Sequence, residues 1–228
     1  MSGVPRPAPT NAAVPSGRRR ASLWGAALPT AFYDRDVAVV ARELLGAVLV
    51  VERAGELLAG RIVETEAYAG RDDPASHAFR GETPRTRDLF GTPGTIYIYR
   101  SYGVHWCANA VTAPRRHGSA VLLRAIEPLT GLDEMQARRG TRDPRAVGSG
   151  PGKLSTALGL SGDDSGGRWT RGPLTIRRGA AVADADILVT PRVGISVAVD
   201  WPLRFAVRGH PHASRGDGWR PLPLRTRK

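Results

Sequence analysis

The stretch ELLAGRIVETEAY, Glu56 to Tyr68, decides the fold class. It is rich in Leu, Ile and Val and follows AVLVVER, Ala47 to Arg53, with only Ala54 and Gly55 between them. Two β-favouring runs joined by so short a link predict an antiparallel hairpin. The strand period of two then puts Glu64, Glu66 and Tyr68 on one face, with Thr65 and Ala67 on the other. A buried strand rarely carries charge without a partner or a task, so at least one of these glutamates is expected to be paired or catalytic. For Glu64 the better reading is a salt bridge to an arginine such as Arg61 or Arg85.

Upstream, DRDVAVVARELLG (Asp34 to Gly46) spaces Val37, Val40, Ala41 and Leu44 as one helical face, with Asp36 as cap and Gly46 as stop. Downstream, TIYIYR (95 to 100), HWCANAV (105 to 111) and AVLLRAIEP (120 to 128) predict strands. Helical spacing returns at 83 to 90, 131 to 139 and 152 to 158, and PRVGI (191 to 195) and PLRFAVRG (202 to 209) read as short strands. GDDSGG (162 to 167) reads as a flexible surface loop. Strands come in runs without a helix after each, which favours α+β over a regular parallel βαβ array. Residues 25–214 are expected to form one domain. Residues 1–24, rich in Pro, Ala and Arg, are read as a disordered basic arm, and 215–228 as a basic tail.

The 33 basic residues against 21 acidic ones leave a formal charge of +12, the footprint of a polyanionic partner. Only Lys153 and Lys228 are lysines. A GC-rich genome accounts for arginine over lysine, but not for the net charge. One cysteine, Cys107, excludes an internal disulfide and any multi-cysteine metal site. No run approaches the roughly 20 apolar residues that cross a bilayer, and a cytoplasmic protein is expected, nucleoid-associated if the source is bacterial.

The loop AGRDDPASHAFRG (69 to 81) brings His77 close behind the strand that carries Glu66. A carboxylate with a histidine can hold and deprotonate a water; Asp72, Asp73 and His77 could equally hold a metal. In TIYIYRSYG, Tyr97 and Tyr99 share one face and Tyr102 falls at the turn beyond. Aromatic faces between basic segments are suited to stacking bases, and core packing competes as a reading of Tyr97. Asn109 could face the same cavity or end its strand. Arg124 is a charge inside an apolar strand and needs an anion, from the protein or from a ligand.

Taken together, ETEAYAGRDDPASHA, TPRTRDLFGTPGTIYIYRSYGVHWCAN, GSAVLLRAIEP, GPGKLSTALG and PRVGI resemble, in order and approximate spacing, the alkyladenine (3-methyladenine) DNA glycosylase family of the human type. The resemblance covers Leu28 to Gly209 and departs from the family pattern at Thr86 and Leu89. It implies one α+β domain around a curved, mainly antiparallel sheet with peripheral helices. It also implies a monomer that excises alkylated or deaminated purines from double-stranded DNA without metal or cofactor. By position, Glu66 matches the catalytic base, and His77 and Arg124 match residues lining the base and water site. Tyr68, His77 and Tyr99 match the walls that sandwich the extruded base. Asn109 matches the residue that crowds the guanine 2-amino group, Tyr102 the wedge that enters the minor groove, and Lys153 a DNA-backbone contact. Two other classes compete: a metal-dependent nuclease using Glu64, Glu66, Asp72, Asp73 and His77, and a non-catalytic basic RNA-binding module.

Overall fold

The computed structural model describes residues 24–214; the proposed N-terminal arm and C-terminal tail lie outside the described residues, apart from Trp24. The predicted hairpin is present as β1 (Val48–Arg53) and β2 (Glu56–Ala69). At 14 residues, β2 is the longest described strand and the axis of the sheet. One edge pairs, from Ala59 to Ala69, with β5 (Ser119–Thr130). The other edge pairs first with β1, from Glu56 to Arg61, and then with β8 (Arg204–Val207), from Glu64 to Glu66. The change of neighbour coincides with register shifts against β5 around Ile62, Glu64 and Thr65. Such irregularities bend a strand and re-aim its side chains, and here they lie where the two glutamates are.

Beyond β5 the sheet continues through β4 (His105–Val111) to β3 (Ile96–Ser101); beyond β1 it ends on β6 (Leu174–Arg177), while β7 (Ile187–Thr190) pairs with β8. All these pairings are antiparallel, which bears out the α+β reading. The pleat sorts the side chains. Ile96, Ile98, Ala108, Ala110, Val121 and Leu123 enter the main core, whereas Tyr97, Val111 and Ala120 form a smaller cluster with Ala78, Leu89 and Phe90, against which Tyr99 packs. That smaller cluster underlies the site.

Helices cover the core face. The helix expected after the Asp36 cap is present as α2 (Val37–Glu43), ending short of Gly46, with α1 (Thr30–Tyr33) before it. Asp36 caps α2 by accepting from the Ala38 and Val39 amides at 2.9 and 3.1 Å, and the Thr65 hydroxyl ties β2 to α2 by donating to the Ala41 carbonyl at 2.8 Å. After β5 come α3 (Leu132–Arg139), α4 (Pro144–Val147) and α5 (Pro151–Leu158), with α5 burying Leu154, Ala157 and Leu158.

Three expectations need correction. Residues 83–90 form turns and a 3-10 segment (Arg87–Phe90) rather than a helix. The Thr83 amide donates to the Thr86 hydroxyl at 2.9 Å and the Thr86 amide to the Thr83 hydroxyl at 3.3 Å, local bonds that compete with the helical ladder. GDDSGG is not a loose loop: Gly162–Asp164 is a 3-10 turn with a Ser161 capping box, and Asp164 pairs with Arg53 at 2.7 Å. PRVGI is not a strand but an irregular loop with Gly194 at a φ of 78°, because its polar groups are recruited by the site rather than by a ladder.

Candidate active site

Glu64 and Glu66 of β2 are both fully buried, and Arg124 of β5 reaches across to both. Its Nε donates to Glu64 Oε1 at 2.7 Å and its Nη1 lies 3.2 Å from Glu66 Oε2. The expected salt bridge of Glu64 exists, but with Arg124 and Arg204, not with Arg61 or Arg85. Arg61 pairs instead with Glu127, and Arg85 donates to the Arg100 carbonyl.

The two carboxylates differ in what remains free. A carboxylate offers about four acceptor positions. Glu64 takes four donors, three of them on Oε1 (Arg124 Nε, Arg204 Nε and the Ser214 hydroxyl, each at 2.7 Å) and the Ser214 amide at 2.6 Å on Oε2. Burial alone would raise its carboxyl, but Arg124 and Arg204 together hold it below the ordinary value of 4.5. Glu66 takes two, the Val193 amide at 2.8 Å on Oε1 and the Tyr68 hydroxyl at 3.0 Å on Oε2, with the Arg124 guanidinium 3.2 Å from Oε2 as an ion pair. One acceptor position is left on Oε1. Burial raises its carboxyl above 4.5 despite the opposing pull of Arg124, Val193 and Tyr68. Glu64 is therefore a counter-ion held by two guanidiniums, and Glu66 the more basic carboxylate, with capacity for a water on Oε1.

Glu66 itself does not line the cavity beside it; its three partners Tyr68, Arg124 and Val193 do, so it sits directly behind the floor. That cavity, of about 510 Å³, is large enough for a purine nucleotide and is also walled by His77, Tyr97, Tyr99, Asn109 and Tyr102. The aromatic walls are neutral. Burial, with Arg85 nearby, pushes the His77 imidazole below 6.5, and burial pushes the Tyr97 phenol up to about 12 and the Tyr68 and Tyr99 phenols higher still. His77 Nδ1 hydrogen-bonds the Tyr97 hydroxyl at 3.0 Å, and its ring meets Tyr99 edge-on at a centroid distance of 4.3 Å. No hydrogen bond joins His77 to Glu66 among the described residues, so His77 belongs to the wall and not to a carboxylate-histidine couple.

Asn109 is buried, and its Nδ2 donates to the Tyr97 and Cys107 carbonyls, both at 3.1 Å, which leaves Oδ1 for the cavity. Tyr102 occupies the β3–β4 turn with a φ of 49° and is 91% exposed, standing at the cavity mouth. Lys153 is exposed on the first turn of α5 and does not line the cavity, although Pro151 does. The five residues of a nuclease site are not assembled. Asp73 is taken up by Arg192, Asp72 lies on the surface 3.2 Å from His117, and Glu64 is enclosed. Among the described residues no group of three or more His, Cys, Asp or Glu side chains is placed to hold a metal ion.

Sequence reasoning missed Arg204, Ser214, Arg192 and Val193. Arg204 carried the same signal as Arg124, a charge inside an apolar strand. Arg192 lay inside PRVGI, whose apolar residues suggested a strand; Ser214 carried no signal.

A sequence model of the methylpurine-DNA glycosylase family matches residues 31–211. A protein of Methanoculleus marisnigri is 51% identical over 191 residues, covering 82% of this chain and 98% of its own length. One of Agrobacterium fabrum is 51% identical over 188 residues (82% and 92%), and one of Carboxydothermus hydrogenoformans 45% over 189 (82% and 98%). The names of all three contain the words 3-methyladenine DNA glycosylase.

Proposed function

Since the chain belongs to the methylpurine-DNA glycosylase family and is a DNA repair glycosylase, we propose that it acts as a monomer on alkylated purines of the 3-methyladenine type, with Glu66 as general base. The observation that carries the assignment is the spare acceptor position on Glu66, directly behind an aromatic cavity of nucleotide size.

A purine inside a duplex is out of reach and must be rotated out, at a cost of a few kcal/mol that damage reduces. An N-alkylated purine carries delocalised positive charge, which the faces of Tyr68 and Tyr99 favour by roughly 0.5–2 kcal/mol. A neutral His77 adds no repulsion. The same charge makes the base a good leaving group: the glycosidic bond breaks with its electron pair going to the base. Glu66 stabilises the developing oxocarbenium ion and takes the proton of the water that adds to C1′. These steps call on no metal or cofactor, and no lysine lines the cavity to form a Schiff base, so base release without strand cleavage is expected.

The direct test is release of free base from duplexes carrying 3-methyladenine, 7-methylguanine, hypoxanthine or ethenoadenine, with and without a chelator. Chelator-insensitive release of the alkylated purines is expected. Strand scission dependent on a divalent ion would point to a nuclease, and binding without any product to a non-catalytic module.

Two further outcomes follow from cavity geometry. Oδ1 of Asn109 faces the space a purine 2-substituent would occupy in this reading. Asn109→Ser should therefore increase excision of undamaged guanine and of guanine-derived bases relative to hypoxanthine; unchanged discrimination would reduce Asn109 to a strand-bracing role. Tyr102 is free to enter a base stack. Tyr102→Ser should abolish most of the lesion-dependent signal of a fluorescent base analogue and leave the melting temperature unchanged, since an exposed side chain contributes little to folding. Equal extrusion signals would show that Tyr102 is not the wedge.

A further inference from the structure

Arg192 and Asp73 form a salt bridge in which both side chains are fully buried. Arg192 Nη2 donates to Asp73 Oδ1 at 2.9 Å, and Nη1 donates to Asp73 Oδ2 and, at 3.1 Å, to the Ala67 carbonyl. The guanidinium carbon lies 4.6 Å from the centroid of the Tyr68 ring. Tyr68 lines the cavity and Arg192 does not, so the guanidinium backs the ring on its far side. The next residue, Val193, donates its amide to Glu66. Asp73 in turn accepts from the Ala69 and Ala75 amides at 3.1 and 3.0 Å, holding the chain between β2 and His77.

One side chain therefore grips the strand between Glu66 and Tyr68, the rear of Tyr68, the loop leading to His77 and the loop that delivers the Val193 amide. We propose that Arg192 is a positioning residue for the glycosylase reaction: with Asp73 it fixes the Tyr68 wall and the Val193 amide relative to the Glu66 carboxylate. The inference rests on the reading of Glu66 as general base.

Stability is a poor explanation for such a pair, because desolvation offsets much of the attraction between two buried charges, and well-packed apolar replacements are often neutral or stabilising. Geometry is what the pair supplies. Only the planar, forked guanidinium can pair bidentately with Asp73, reach the Ala67 carbonyl and lie against an aromatic ring at once; a lysine is a single point charge. The reaction is sensitive to this placement, since about 1 Å of misplacement at a catalytic group can cost on the order of 10²-fold in rate.

The test compares Arg192→Lys with wild type by single-turnover release of 7-methylguanine and of hypoxanthine from duplex DNA across pH, with lesion-duplex affinity and melting temperature measured on the same preparations. Folded Arg192→Lys is expected to lose about 10²-fold in rate and much less in affinity. Weakening of the Val193 bond to Glu66 should also displace the acid limb of the pH profile to higher pH. A purely structural role would lower the folded fraction and leave the rate and acid limb of folded molecules unchanged, which would overturn the proposal. Should Arg192→Lys fail to fold, the double variant Arg192→Gln with Asp73→Asn keeps a hydrogen-bonded pair without buried charge. A reduced rate and displaced limb are expected there too, and wild-type behaviour would again overturn the proposal. If the wild-type enzyme releases neither base, the reading of the site fails; if it releases them and the variants keep pace, only the role of Arg192 fails.

Discussion

Glu66→Gln is expected to lower single-turnover excision by at least the roughly 10²- to 10⁴-fold that acid-base catalysis contributes, while lesion-DNA binding survives. The glutamine keeps the volume of the side chain, and its carbonyl can still accept the Val193 amide that now reaches Oε1 at 2.8 Å. It has neither the charge nor the basicity to activate water. The structure adds an expectation for stability. Burial raises the Glu66 carboxyl above 4.5, so its ionisation costs folding free energy. That penalty is absent below the unfolded-state value and fully present once pH exceeds the folded-state value. Glu66→Gln should therefore melt at or above the wild-type temperature at neutral pH, with the difference vanishing in acid. The wild-type rate should fall with a single protonation centred above 4.5. A variant that melts lower yet turns over normally would make Glu66 a structural ion-pair partner and remove the catalytic assignment.

This behaviour separates two carboxylates that strand alternation alone does not tell apart. ETEAY states that they share a face and need an explanation, because alternation along a strand is a local property. Which of them is the more heavily paired is decided by Arg124, 60 positions from Glu64, by Arg204, 140 positions away, and by Ser214, 150 positions away. No periodicity encodes those distances. The sheet was legible for the converse reason: β1 with β2 and β3 with β4 are hairpins with short connections, and their alternation sorts core from cavity within a few residues. PRVGI failed as a strand because its amide bonds a carboxylate 127 residues away instead of a neighbouring strand. Residues 83–90 failed as a helix because the bonds that displaced the ladder come from threonine side chains. The candidate wall was legible as a cluster of tyrosines. Its backing by Arg192 was not.

Arg124→Met carries the other large expected effect, and its sign in stability is opposite to that of Glu66→Gln. Methionine fills much of the space but withdraws the one cation that serves both glutamates. Glu64 retains Arg204 and both Ser214 donors, so it stays paired; Glu66 keeps only the neutral donors Val193 and Tyr68. Removing one partner of a buried ion pair costs about 3–5 kcal/mol, which at roughly 2–4 °C per kcal/mol for a chain of this size lowers the melting temperature by on the order of 6–20 °C. Without Arg124 the burial of Glu66 goes less opposed, so its carboxyl titrates higher still. The acid limb of the rate profile should move to higher pH, and raising the pH should recover part of the lost rate. Adding Glu66→Gln to Arg124→Met should restore much of the stability and none of the activity, because it removes the unpaired charge together with the base. If Arg124→Met lost activity with its melting temperature and pH profile unchanged, Arg124 would be acting on the DNA directly rather than as the shared counter-ion of the two glutamates.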